Sequence, residues 1–207
     1  MQIKEGDFEV TVNINNEGQI IMASASPRRA ELIKLISENA RSLEADIDES
    51  FEPLADAETN AVSNACKKAF YVRDALPNSS DIIIGADTLV ALGERIMGKP
   101  ENEEHAFELL SLLSGKEHEV YTGVCIVKGD RSLSFCERTC VEFLPIDENE
   151  IKKYIETNEV LDKAGAYGIQ QAARLFIKRI NGNYENVMGL PVARLYKILK
   201  EQFGFIR

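Results

Sequence analysis

The sequence predicts an α/β fold, a single unit of interleaved strands and helices with two lobes around a cleft. Three observations predict it. Short apolar runs, IIMA (20–23) and the isoleucines of DIIIG (81–85), read as strands buried on both faces. Segments with apolar residues at helical spacing alternate with such runs along the chain. No internal repeat, low-complexity stretch or linker divides the 207 residues, and at roughly 150 residues per domain that length suits one unit or two lobes.

The elements follow in order. Residues 1–18 form an N-terminal extension ahead of a single domain over 19–207. Within the extension, FEVTVNI alternates apolar and polar and NNEG offers a turn, so a short strand or hairpin is expected. IIMA is a strand. AELIKLI places apolar residues at 32, 33, 35 and 36, an amphipathic helix with Ser26 suited to the N-cap and Pro27 to the first helical position. A loop and a strand through 41–47 and a helix over 58–75 come next. DIIIG and LVAL (89–92) read as two strands, with Gly85-Ala86-Asp87-Thr88 at the end of the first. Asn102 caps a helix through about residue 113, with Glu103 and Glu104 near its positive end. Residues 119–128 and 132–145 alternate as two long strands around Lys128-Gly129-Asp130. Asp147 caps a helix over 148–157. A glycine-containing loop, a strand near 175–180 and a last helix over 191–202 complete the chain.

Composition narrows the function. There are 34 acidic and 24 basic residues, a formal net charge of -10. That argues against broad binding to nucleic acid or an anionic membrane, since both require a cationic face. A small anionic ligand stays compatible, because a few basic side chains can converge locally. No apolar run approaches the roughly 18 residues of a membrane span. The polar, acidic start lacks the features of a signal peptide, so a cytoplasmic location is expected. None of the four cysteines forms a C-x-x-C pair. Cys136 and Cys140 fall on one face of a strand by period two and read as a buried thiol pair. His105 and His118 carry no metal motif.

Four segments can carry chemistry. Ser24-Ala25-Ser26-Pro27-Arg28-Arg29 sets two arginines in the first turn of a helix, where the helix dipole disfavours cations. An anion seated there reverses the sign, collecting backbone N–H groups, serine hydroxyls and a guanidinium fork. Two solvated arginines are the alternative. Asp87 follows a buried strand, where α/β folds gather ligands, and can hold a divalent metal or activate water. A turn aspartate bonded to its own backbone is the alternative. The Asp46-Ile47-Asp48-Glu49 loop supplies further carboxylates, and Gly98-Lys99-Pro100 presents a lysine ahead of a helix. Each of these is also compatible with a solvated surface.

Read in order, these segments resemble the Maf family of nucleoside triphosphate pyrophosphatases. The matching stretches are SASPRRAELI (24–33), DIDE (46–49), the lysine of NACKKA (64–69), IIIGADTLV (82–90), GKP (98–100), LLSGKEHEVYTGV (112–124), LDKAGAYGIQ (161–170) and NGNYENVMGLP (181–191). The resemblance implies a mixed sheet with flanking helices and a substrate cleft between two lobes, as in inosine-triphosphatase-like folds. It implies hydrolysis of a nucleoside triphosphate to monophosphate and pyrophosphate with a divalent cation such as Mg²⁺ or Mn²⁺. Asp87 matches the family's proton acceptor. Lys68 and Glu49 match catalytic positions, and Asp87 and Glu49 the metal-holding ones. Ser24, Arg28, Arg29 and Lys99 match substrate-binding positions. Arg28, Thr88 and Gln170 are similar to the specificity positions of the branch acting on dTTP and UTP. A sister branch acting on 7-methyl-GTP, a division regulator with little turnover and a nucleotidyl transferase remain alternatives. The implied partner is the triphosphate alone, and a homodimer stays open. The chain departs from the pattern at Asn60 and Asn64, where the family tends to have Tyr and Leu, and at Gln171-Ala172-Ala173-Arg174, where it often has glycines.

Overall fold

The computed structural model describes residues 18–49, 51–52, 54–76 and 80–206. The hairpin expected within residues 1–18 lies almost wholly outside them.

The sheet is mixed and has seven strands. In chain order they are β1 (Ile20–Ala23), β2 (Arg41–Leu43), β3 (Ile82–Leu92), β4 (Arg95–Met97), β5 (Glu117–Lys128), β6 (Arg131–Phe143) and β7 (Ile177–Asn181). The spatial order is β2-β1-β3-β5-β6-β7, with β4 paired to β3. Strand β1 runs parallel to both β2 and β3, and every other pairing is antiparallel. The helices are α1 (Pro27–Lys34), α2 (Ala57–Ala75), α3 (Glu103–Leu113), α4 (Glu148–Thr157), α5 (Tyr184–Met188) and α6 (Val192–Phe203). Asn102 and Asp147 cap α3 and α4 through their side chains as expected. Ser26 occupies the N-cap of α1 but its hydroxyl makes no capping bond. The Ser24 hydroxyl instead accepts the Ser26 N–H at 3.2 Å.

The all-apolar strands have the burial predicted for them. Ile20, Met22, Ile82, Ile84 and Ala86 face α1 and α6, while Ile21, Ala23 and Ile83 face α2. A separate core joins α3 and α4 to the far ends of β3, β5 and β6 through Leu110, Leu113, Val120, Val141 and Phe143. The first two clusters, on the two faces of β1 and β3, make one lobe and the third makes the other.

One expectation fails in a way that makes the site. Residues 82–92 form one continuous strand rather than two, because β5 pairs with β3 from Ile83 to Ala91 without a break. The opposite edge of β3 is interrupted. Strand β1 pairs with it only as far as Gly85, and β4 begins only at Val90. Ala86, Asp87, Thr88 and Leu89 therefore line a gap between the carboxyl end of β1 and β4, which is where a cleft opens in such folds.

Helix α2 lies unusually close to β3 and β5. A Cβ on Gly85 would sit 2.1 Å from the Ala65 carbonyl oxygen, and one on Gly123 2.3 Å from the Ala61 backbone. Gly123 pairs directly with Asp87, so the missing side chain lets α2 settle over that carboxylate. The Cys136 and Cys140 thiols are only half-buried, since their face of β6 is incompletely covered, and they are not the buried pair expected. Cys125 is the buried thiol.

Candidate active site

A cleft of about 320 Å³ opens at this gap. Ser24, Arg28, Arg29, Glu49, Lys68, Asp87, Thr88 and Lys99 all line it. Gln170 lines an adjoining hollow with Arg28, Asp162 and Lys163.

Asp87 and Thr88 are neighbours on β3 and so face opposite sides of the sheet. On the α2 side, Lys68 Nζ stands 2.7 Å from Asp87 Oδ1 and 3.0 Å from Glu49 Oε1. Glu49 Oε2 also meets Lys99 Nζ at 3.3 Å. Burial alone would push the Glu49 carboxyl up, but the Lys68 and Lys99 ammonium groups outweigh it and hold the group below its usual range. Asn64 on α2 also reaches Asp87, its Nδ2 donating to Oδ2 at 3.3 Å.

On the other side, Arg29 is buried and held at three points. Its Nε donates to the Gly189 carbonyl at 2.8 Å, Nη1 to Ser24 Oγ at 3.3 Å and Nη2 to Thr88 Oγ1 at 2.9 Å. Burial pulls its pKa below the ordinary value, against the attraction of Asp87 and Glu49. Thr88 Oγ1 also bonds Thr122 Oγ1 at 2.9 Å. Thr88 is thus engaged in fixing Arg29 and does not share the hollow that Gln170 lines.

The Leu161–Gln170 segment closes the third wall. The Gly165 N–H donates to the Gly98 carbonyl at 3.1 Å, which ties this loop to the stretch bearing Lys99. Asp162 pairs with Arg28 at 3.1 Å and with Lys163 at 2.5 Å. Burial would raise the Asp162 carboxyl, but those two cations hold it below its usual value. Residues 172–175 make a short 3-10 turn.

Sequence reasoning missed three polar residues here. Asp162 and Lys163 lie inside LDKAGAYGIQ, where a charged pair beside glycines was the available signal. Asn64 was marked only as a departure from the family pattern, at a position where the family tends to have Leu.

No cluster of three or more His, Cys, Asp or Glu side chains suited to a metal occurs among the described residues. One ammonium touches both Asp87 and Glu49, so the two carboxylates lie within a single cation's reach. Two hard oxygen donors without a full cage suit an ion that takes its other ligands from substrate phosphates and water.

A two-lobed α/β fold whose cleft combines carboxylates with five basic side chains at the end of a parallel strand defines a class of small-anion-handling proteins. The particular family is settled by comparison: the family model described as "Maf-like protein" matches residues 19–202, and the chain belongs to that family. A dTTP/UTP pyrophosphatase of Bacillus cereus strain B4264 is 45% identical over 183 residues, covering 88% of this chain and 95% of that protein. A second, from strain ATCC 10987 / NRS 248, is 43% identical over 196 residues, covering 93% and 96%. The solved structure of the Staphylococcus aureus Ham1 protein is similar at 14% identity and a TM-score of 0.46, covering 88% of this chain and 98% of that one. Among the described residues no helix is long and apolar enough to cross a membrane.

Proposed function

We propose that this protein hydrolyses nucleoside triphosphates, dTTP and UTP foremost, to the monophosphate and pyrophosphate. The observation that carries the reading is Asp87, a buried carboxylate on the open edge of β3 inside a cleft lined by Arg28, Arg29, Lys68, Lys99 and Lys163. The names of the Bacillus cereus relatives support the substrate class.

The substrate carries about four negative charges, and a protein of this net charge must neutralise them locally. Arg29 is preset by its three acceptors, which spend three of its five guanidinium N–H groups. Asp87 orients a water in line with the α-phosphorus and accepts its proton. Lysine and arginine side chains stabilise charge on the departing pyrophosphate. Asp87 and Glu49 would hold a divalent cation, Mg²⁺ or Mn²⁺, which supplies charge neutralisation when bound. The proposed setting is the cytoplasm, where triphosphates are held and free thiols stay reduced.

Phosphorus NMR of UTP or dTTP with the protein and Mg²⁺ tests this. Monophosphate and pyrophosphate are the expected products, and omission of the divalent ion abolishes them. Diphosphate with orthophosphate would mean attack at the γ-phosphorus and overturn the reading. Binding without turnover would favour a regulator.

A further inference from the structure

Asn64 lies one turn before Lys68 on α2 and is 1% exposed. An amide buried this completely is costly unless its polar atoms are used. Its Nδ2 donates to Asp87 Oδ2 at 3.3 Å and reaches the Glu49 carbonyl oxygen at 3.5 Å. Its Oδ1 accepts from Lys67 Nζ at 3.4 Å. We infer that Asn64 is a positioning residue that holds the Asp87 carboxylate in its working orientation and ties it to the segment bearing Glu49. The inference rests on the hydrolysis proposed above.

The two carboxylate oxygens are held separately and from one helix. Lys68 takes Oδ1 and Asn64 takes Oδ2. The terminal torsion of an aspartate is broad, so a carboxylate gripped at one oxygen still swings. Two grips four residues apart on α2 fix its plane, and the close approach of α2 at Gly85 and Gly123 keeps both grips in reach. Asn64 is not among the residues lining the cleft. Its loss therefore removes orientation of the base and leaves substrate contacts in place.

Two measurements test this. The first is pyrophosphate release from UTP by Asn64→Leu, alone and combined with Asp87→Asn. The turnover number should fall about tenfold with KM within about twofold, the signature of lost alignment. On top of Asp87→Asn the same substitution should add less than about twofold, because the two act as one unit. The second needs no activity: the side-chain amide resonances of Asn64, followed by nitrogen-edited NMR, should shift on Asp87→Ala. An unchanged turnover number, a rise in KM alone, or a full tenfold loss repeated in the Asp87→Asn background would overturn the inference. So would amide resonances indifferent to Asp87→Ala, which decides the matter if Asn64→Leu does not fold. An unmodified protein that releases no pyrophosphate would refute the hydrolysis itself, while the amide resonances would still report whether Asn64 grips Asp87.

Discussion

Lys68 Nζ stands 2.7 Å from Asp87 Oδ1, with side chains only 6% and 7% exposed. Such a pair is sensitive to losing one partner, since the other is left charged in a poor solvent. Lys68 has a second carboxylate, Glu49, at 3.0 Å, and the Ala86 carbonyl at 3.5 Å.

Asp87→Asn is therefore the informative substitution. The amide keeps the shape and an acceptor for Lys68 but cannot take a proton from water. Turnover should fall by about 10²-fold or more, the usual scale for loss of a general base. Stability should drop by only about 1–3 kcal/mol, as one charged hydrogen bond weakens. Steady-state kinetics and a urea melt check both numbers. A variant with most of its activity intact removes Asp87 from the mechanism.

Gly123→Ala tests how α2 is placed. The added methyl would sit 2.3 Å from the Ala61 backbone, which cannot give way as a side chain tip could. The helix must shift, carrying Lys68 and Asn64 off Asp87. Overpacking of this kind costs about 1–3 kcal/mol. Activity should fall further than stability alone explains, visible as reduced turnover at temperatures well below the melt.

His118 sets an acid limit to stability. It is 1% exposed, and its Nε2 shares a 2.8 Å hydrogen bond with the Tyr167 hydroxyl. Burial lowers its pKa to about 4, against a smaller opposing contribution from a backbone hydrogen bond at Lys116. The unfolded chain takes up a proton near the ordinary pKa of about 6.5. Between those values the unfolded state binds more protons, so stability falls as pH falls and levels off below about 4. The full loss from this group is about 3 kcal/mol at 1.36 kcal/mol per pKa unit. Denaturant melts from pH 7 to 4 should show it, and His118→Gln should flatten that slope.

The limits and caps of α3 and α4 were legible because their signals are local: Asn102 and Asp147 cap through contacts within three residues. The continuity of β3 was not. Gly85-Ala86-Asp87-Thr88 has the composition of a turn, and only the ladder to β5, some forty residues away, keeps it extended. The same long-range pairing sets Thr88 on the cleft wall bonded to Arg29, outside the hollow that Gln170 lines. Asn64 was visible as an oddity in α2, but its use depends on Gly123 admitting the helix, which no local pattern encodes.

Base choice is the last expectation, and it turns on the hollow shared by Gln170, Arg28 and Asp162. An amide can offer both a donor and an acceptor to the O4 and N3–H edge of uracil or thymine. Cytosine presents a donor at position 4, and a free amide would flip to suit it. Discrimination therefore needs neighbours that keep Gln170 one way round. Arg28 is a candidate, being itself held by Asp162 at 3.1 Å on the wall of that hollow. UTP and dTTP should be hydrolysed in preference to CTP and dCTP by about 1–3 kcal/mol in transition-state binding, the scale of one unsatisfied buried group. Gln170→Ala should narrow that gap while pyrophosphate release continues, because Arg29, Lys68, Asp87 and Lys99 lie in the neighbouring cleft. Asp162→Asn should narrow it too, by loosening Arg28, if Arg28 is the lock. Competition kinetics of CTP against UTP measure the gap directly, and equal turnover by the unmodified protein would remove Gln170 from base recognition.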